Sequence, residues 1–331
     1  MAAPQRILVT GGAGFVGSRL VKKLQETIPG VDLLVVDDFR TGTFANLSEE
    51  GKRGWSYRGR VIAYPLHEVD IDGLIEDFEP DAVYHEASIT DTTVEDEAAM
   101  IRDNVEPFEA LLAVCLEREI PLVWVSSAAT YGTQASGATA ERRLFKPDDA
   151  GRPANVYGFS KWVMENAQRR LMPHFPDGHV VGLRYFNVFG PGEANKGHMA
   201  SMIRQLALQM LDGKRPRIFA PGTQARDHVH VSDVVDATIA AARPGARSGI
   251  YNVGTGEATS FNQVVDALNE ALGTDLQPEY FDNPFRFYQD HTQADLAETR
   301  EALKWKPRFS TAEGIKHYAG ILKSEREENR G

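Results

Sequence analysis

The sequence predicts an α/β fold: a doubly wound parallel sheet, followed by a smaller C-terminal α/β unit. Three observations carry that expectation. Short β-branched runs alternate with longer helical patterns through the first half of the chain. A glycine-rich turn joins the first such run to the first helical pattern. At 331 residues, the chain exceeds the usual size of one hydrophobic core.

In chain order, RILVT (6–10) opens the pattern as a strand and 17–28 follows as a helix. DLLVVD, RVIAY, DAVYH, PLVWVSS and HVVGLRYF read as further strands, because β-branched side chains fit a pleated, half-buried surface. Segments 71–78, 97–118 and 157–172 repeat apolar residues at helical spacing. Beyond about residue 185 the alternation loosens. RPRIFA and GIYNVG still read as strands there, and MASMIRQLALQML, VSDVVDATIAAA and SFNQVVDALNEAL as helices. The expected division is therefore 1–185, with strands from about 215–255 returning to it, and a discontinuous second unit over 186–331. The tail KSEREENRG is expected to fray.

Composition narrows the function classes. Hydrophobic residues make up 42% and charged residues 25%, ordinary for a globular enzyme in water. Thirty-six Lys and Arg face 47 Asp and Glu, and the net charge of −11 disfavours nucleic acid or an anionic membrane as partner. Cys115 is the one cysteine, so an internal disulfide is excluded, and its place in EALLAVCLERE suits a small buried hydrophobe. MAAPQRILVT has no signal-peptide core and no apolar run is long enough to span a bilayer, so a soluble cytoplasmic protein is expected.

ILVTGGAGFVGSRLVKKL sets Gly12, Gly14 and Gly17 in G-x-G-x-x-G spacing, with Gly11, Gly14 and Gly17 in a looser register. Small residues let the backbone turn tightly and approach a pyrophosphate, whose charge the free N–H groups of the helix start attract. Asp37 ends the next strand 20 residues after Gly17, where an acid would meet an adenosine ribose. Strand, turn, helix and acid together point to a dinucleotide-binding Rossmann unit. Asp37 favours NAD. Neighbouring Asp38 would repel a 2′-phosphate and Arg40 would attract one, so NADP stays possible.

NVYGFSKWVMENAQRR places Tyr157 four residues before Lys161, on one helical face. A tyrosine of pKa about 10 is only about 0.1% phenolate at pH 7, and a nearby positive charge lowers a pKa by roughly 1–3 units. Lys161, with an oxidised nicotinamide, would make Tyr157 a base for a sugar hydroxyl as hydride leaves its carbon. A bare Y-x-x-x-K more often only packs a helix start. Ser127 adds a third element, since PLVWVSS ends at the sheet edge where such folds bind ligands, and its hydroxyl suits the reacting oxygen.

Ser127, Tyr157 and Lys161 resemble the catalytic set of the extended short-chain dehydrogenase/reductase family of nucleotide-sugar enzymes. HEASITDTT, CLEREIP, SSAATYG, RYFNVFGPGEANKGHMAS, RDHVHVSDV and YQDHTQADL, spread over 85–296, narrow the resemblance to the ADP-glyceromanno-heptose 6-epimerases. KGHMAS and TQAD are its discriminating pieces. The resemblance implies Lys196 as a second general base, so that Tyr157 and Lys196 serve opposite faces of a 6-keto intermediate and the cofactor is regenerated each turnover. It implies a cofactor lining of Phe15, Val16, Glu86, Ala87, Ser88, Thr90, Asn104, Lys161 and Val188, beside Gly11, Gly14, Gly17, Asp37 and Asp38. It assigns Asn187, Arg226 and Tyr288 to a nucleotide-diphosphate sugar, with Ser127. Phe219 stands at a matching position, as do His198, where the family has serine, and Gln205, where it has histidine.

The nearest rival is a UDP-hexose 4-epimerase, which needs Tyr157 and Lys161 but not Lys196. A dehydratase is disfavoured because Ala128 and Ala129 carry no protons to exchange. A dinucleotide-sensing protein without turnover would have no need of a base. His228 and His230 share a strand face, but no cysteine or further histidine pair accompanies them, so they read as satisfied structural histidines and no metal site is expected. The run KRPR (214–217) reads as a turn. The amphipathic helices at 97–118 and 157–172 suit pairing between copies, so a homo-oligomer is expected.

Overall fold

The computed structural model describes residues 4–48, 56–132, 142–284 and 289–328. The first half runs β1 (Arg6–Thr10), α1 (Phe15–Thr27), β2 (Asp32–Val36), α2 (Phe44–Ser48), β3 (Arg60–Ile62), α3 (Ile71–Phe78), β4 (Ala82–His85), α4 (Glu97–Met100), α5 (Glu106–Glu117), β5 (Leu122–Ser127), α6 (Val156–Leu171) and β6 (Val180–Tyr185). There follow β7 (Asn187–Phe189), α7 (Met202–Leu211), β8 (Arg217–Phe219), β9 (Ala225–Arg226), β10 (His228–His230), α8 (Val231–Ala241) and β11 (Gly249–Val253). The chain continues through β12 (Thr259–Ser260), α9 (Phe261–Leu272), β13 (Glu279–Phe281), α10 (Ala297–Leu303) and α11 (Thr311–Glu328).

Seven parallel strands form the central sheet in the order β11-β6-β5-β4-β1-β2-β3. The order reverses between β1 and β4, and the crevice at the carboxyl ends there is the ligand site of such sheets. Helices cover both faces, which is why the inner strands read as nearly continuous apolar runs rather than as alternation. On one face Ile7, Val9 and Val35 pack with Leu20 and Leu24 of α1 and Val234 of α8. On the other, Leu8, Leu34 and Val83 meet Phe108, Leu112 and Cys115 of α5 and Met164 of α6. Cys115 is the small buried hydrophobe its sequence context implies, and burial pushes its thiol up to about 12.

A third core joins Ile203 and Leu206 of α7, Val264 and Leu268 of α9, and Ile315 and Tyr318 of α11 around Phe189. Of the later strands, β11 lies in the main sheet, whereas β8 pairs with β13, β9 with β12 and β10 with β7 in two-stranded ladders. The 60–64 strand shortens to three residues at the sheet edge. The helix expected over 97–118 forms without interruption of its right-handed backbone, but its ladder widens to a π-helical stretch at Ile101–Val105 between α4 and α5. Pro107, in the first turn of α5, has no N–H for the carbonyl four residues back, so the regular ladder cannot run through that point. None of the described helices is long and apolar enough to cross a membrane.

Candidate active site

A cavity of about 600 Å³ opens along the carboxyl ends of β1, β2, β4 and β5. Its walls bring together Gly11, Gly14, Phe15, Val16 and Gly17 from the glycine turn with Asp37 and Asp38 from the end of β2. Glu86, Ala87, Ser88 and Thr90 follow from the segment after β4, and Ser127, Tyr157, Lys161, Val188, Lys196 and His198 complete the predicted set that lines it.

The glycine turn fits a pyrophosphate. Gly11 has a φ of 70°, and a Cβ there would collide with the Ala87 backbone. A Cβ on Gly17 would run into the Gly11 carbonyl oxygen. α1 starts from Gly14 without a side-chain cap, so its leading N–H groups are available to an anion. Asp37 is locked at the rim: Oδ2 accepts from the Ala13 N–H at 2.8 Å and Oδ1 from the Phe39 N–H at 2.8 Å. Burial raises its pKa, and these bonds oppose the rise. A carboxylate has about four lone-pair sites, which leaves capacity for ribose hydroxyls.

At the chemical end, Asn155 caps α6 by accepting from the Gly158 N–H at 2.8 Å, which sets the first turn carrying Tyr157. Lys161, one turn on, is fully buried and donates from Nζ to the Val125 carbonyl at 2.8 Å. Its Nζ lies 6.0 Å from the centroid of the Tyr157 ring. Ser127 Oγ accepts from the Ala129 N–H at 3.1 Å, and its hydroxyl acts to lower the Tyr157 pKa. Lys161 by itself does not acidify Tyr157. Burial raises the phenol pKa and Ser127 opposes it, while burial draws Lys161 itself down to about 7 against the pull of Glu86. Desolvation outweighs the opposing influences of Ser127 on Tyr157 and of Glu86 on Lys161 because both groups are packed away from water. Glu86 accepts from Tyr185 Oη at 2.9 Å, and burial pushes its carboxyl up to about 7, opposed by Tyr185 and Lys161.

Asn104 stands one layer behind the lining. It accepts from the Ile89 N–H at 2.7 Å and donates to the Ile89 carbonyl at 3.2 Å and to Ser160 Oγ at 3.2 Å. The amide thus clamps the wall segment to α6. The π-helical turn is what presents it, and no local sequence signal announces such a turn.

Lys196 comes from the short helical segment Ala194–Met199, whose turn at Gly197 has a φ of 55°. Its Nζ sits 5.2 Å from the centroid of the Phe15 ring, and burial lowers its pKa while Glu193 opposes. Glu193 pins the segment at both ends by accepting from the Gly190 N–H at 3.3 Å and the Ser201 N–H at 2.6 Å.

Four predicted substrate residues do not line this cavity. Asn187 donates to the Asp227 carbonyl at 3.1 Å and to Thr292 Oγ1 at 3.3 Å, and Arg226 donates to the Ala225 carbonyl at 3.0 Å. Gln205 donates to the Ala200 carbonyl at 2.7 Å and so braces the Lys196 segment from below. Phe219 packs edge-on against Phe281 at 4.8 Å. Tyr288 lies outside the described residues. Arg40, weighed above as a contact for a 2′-phosphate, also lines the cavity, and Tyr64, His67, Asp103, Tyr185 and Met199 line it without having been singled out. Of these, Tyr185 within RYFNVFGP and Met199 within KGHMAS carried a usable sequence signal.

His230 is satisfied as expected, by Ser232 Oγ at 2.7 Å and His317 Nδ1 at 3.2 Å. His228 is not: neither ring nitrogen has a hydrogen-bond partner among the described residues, because its neighbours include the apolar rings of Phe189 and Phe261. Burial, with Arg226 reinforcing it, lowers the His228 pKa to about 3, so the ring is neutral. Among the described residues no group of three or more His, Cys, Asp or Glu is placed to hold a metal ion.

The model of the family described as "NAD dependent epimerase/dehydratase family" matches residues 7–254. Among solved structures the chain is similar to an ADP-L-glycero-D-manno-heptose-6-epimerase of Helicobacter pylori, at 36% identity and a TM-score of 0.84, covering 97% of this chain and 96% of that one. It is similar to a UDP-glucose 4-epimerase of Thermotoga maritima solved with UDP-glucose, at 27% identity and a TM-score of 0.83, covering 97% and 99%. A UDP-glucose 4-epimerase of Thermus thermophilus in complex with NAD matches at 26% identity and a TM-score of 0.76, covering 96% and 99%.

Proposed function

The chain belongs to the NAD dependent epimerase/dehydratase family, and from that membership we propose that it epimerises a nucleotide-diphosphate sugar by transient oxidation and re-reduction on bound NAD. The observation that carries the reading is the meeting of Ser127, Tyr157, Lys161 and Lys196 in one cavity with the glycine turn and Asp37. NAD, when bound, supplies a hydride acceptor and a positively charged ring. The glycine turn would hold its pyrophosphate and Asp37 its adenosine ribose. Tyr157 takes the proton of the sugar hydroxyl, Ser127 hydrogen-bonds the reacting oxygen, and Lys161 keeps positive charge beside the phenol.

Inversion requires that the ketone present its other face to the same hydride, so a second proton-transfer group belongs on another wall. Lys196 reaches the cavity over Phe15 from the segment after β7, whereas Tyr157 comes from α6. The lowered pKa of Lys196 suits an amine that acts as base. This pair, with the similarity to the Helicobacter pylori enzyme, favours C6 of an ADP-glycero-manno-heptose as the reacting centre. Similarity to the Thermotoga maritima enzyme supports UDP-hexose 4-epimerisation as the second reading, and that reaction would proceed without Lys196. We take 1–185 with β11 as the dinucleotide unit and most of 186–331 as the sugar unit. We also take the protein to be a cytoplasmic homo-oligomer assembled through α5 and α6, which a monomer by light scattering would contradict.

The test is to denature the purified protein, identify the released dinucleotide, and incubate the native protein with ADP-, GDP- and UDP-sugars while NMR follows configuration. Release of NAD and inversion at C6 of the ADP-heptose are expected, with no net consumption of cofactor. An unchanged configuration across the whole panel would overturn the reading.

A further inference from the structure

We propose that Asp103 is a cofactor-specificity residue: by capturing the Arg40 guanidinium it withholds that cation from a 2′-phosphate and selects NAD over NADP. The inference rests on the dinucleotide reading of the cavity and concerns the end marked by Asp37. An arginine close to the ribose-facing acid is the group that would accommodate the phosphate of NADP. Arg40 lines the cavity three residues beyond Asp37, so by sequence position it is that arginine.

Both of its terminal nitrogens already face carboxylates. Nη1 donates to Asp103 Oδ2 at 2.9 Å, Nη2 lies 3.2 Å from Asp38 Oδ2, and the backbone N–H of Arg40 donates to Asp38 Oδ1 at 2.9 Å. Asp38 is a sequence neighbour, whereas Asp103 comes from the π-helical turn 63 positions away. Asp103 is the better buried partner, its side chain 8% exposed against 46% for Arg40. Arg102 Nε donates to its other oxygen at 2.7 Å, and His67 Nδ1 stands 3.3 Å from that oxygen. Burial works to raise the Asp103 pKa, but the hydrogen bonds from Arg102 and Arg40 hold it below the usual carboxylate range. The carboxylate is therefore held ionised and positioned by protein groups. To serve a 2′-phosphate, Arg40 would have to give up its contacts with both Asp103 and Asp38, and two carboxylates would then stand near a dianion without it.

The test brings the wild type and variants to exchange equilibrium with an equimolar mixture of NAD and NADP, removes free nucleotide, denatures the protein and quantifies what is released. The wild type should release mainly NAD. Asp103→Asn should lower the NAD to NADP ratio about tenfold, the equivalent of one freed charge contact. Adding Arg40→Gln to that variant should abolish the gain, while Arg40→Gln alone should leave the wild-type ratio in place. An unchanged ratio in Asp103→Asn, a gain that survives loss of Arg40, or reduced NADP retention in Arg40→Gln alone would each overturn the proposal. Arg40 is half exposed, so that single variant tests the idea even if Asp103→Asn fails to fold. If the wild type binds neither dinucleotide, the cavity reading falls with it. If NAD is bound and the ratio never moves, only the role of Asp103 falls.

Discussion

At the scale of single residues, the chemistry depends on ionisable groups held away from water. Tyr157→Phe removes the proton acceptor we propose on the α6 side, so turnover should fall by about two orders of magnitude or more with the dinucleotide still released on denaturation. Lys196→Met should abolish heptose interconversion through kcat, and an effect on KM alone would make Lys196 a binding group. Glu86 gives a prediction in pH. Activity that needs Lys161 charged is lost as pH rises through the Lys161 pKa, drawn by burial to about 7 with Glu86 pulling it back up. Glu86→Gln removes that pull, so the alkaline limb of the kcat/KM profile should move to lower pH. A limb that stays in place would show that Glu86 does not set the charge of Lys161. The spacing of Tyr157 and Lys161 was legible because it is a helical repeat, but their protonation was not, since no spacing reports how much water a side chain has lost.

At the scale of elements, α6 carries Tyr157, Lys161 and Glu165 at successive four-residue steps, and the third of these anchors the helix to the sheet. Glu165 pairs with Arg184 of β6 at 2.7 Å, both side chains being fully buried, and accepts from Ser126 Oγ at 2.7 Å beside Ser127. Arg184 in turn donates to Tyr131 Oη at 2.9 Å, in the turn that follows Ser127. The ion pair thereby ties the helix of the base to the strand of the hydroxyl. Glu165→Ala leaves the guanidinium without its counter-charge and should cost about 3–5 kcal/mol, read as a lower urea midpoint at unchanged m. A midpoint within error of the wild type would mean that the pair is dispensable. The helices and most strands here were readable from periodicity. The π-helical widening at Ile101–Val105 was not, because Pro107 by itself signals an irregularity without saying which carbonyls find other partners.

At the scale of the whole molecule, the alternation of strand and helix and the turn at Gly11, Gly14 and Gly17 were enough to place a parallel sheet and its crevice. These are local properties: periodicity reports which face of an element is buried, and a glycine turn needs only neighbouring backbone. The same reasoning located Ser127, Asp37 and Tyr157, each at the end of an element whose direction follows from the topology. It failed for Asn187, Gln205, Phe219 and Arg226 as cavity-lining groups, since a motif position gives no side-chain direction across two packed units. The sequence by itself therefore determined the fold class, the dinucleotide crevice and which side chains we propose as reactive. Only the tertiary structure decided that Lys196 sits over Phe15 in the cavity that holds Tyr157, that Asp103 holds Arg40, and that burial outweighs the opposing pull of Ser127 at Tyr157 and of Glu86 at Lys161. Distance between remote elements and loss of solvent arise from packing, and packing is set by the whole chain at once.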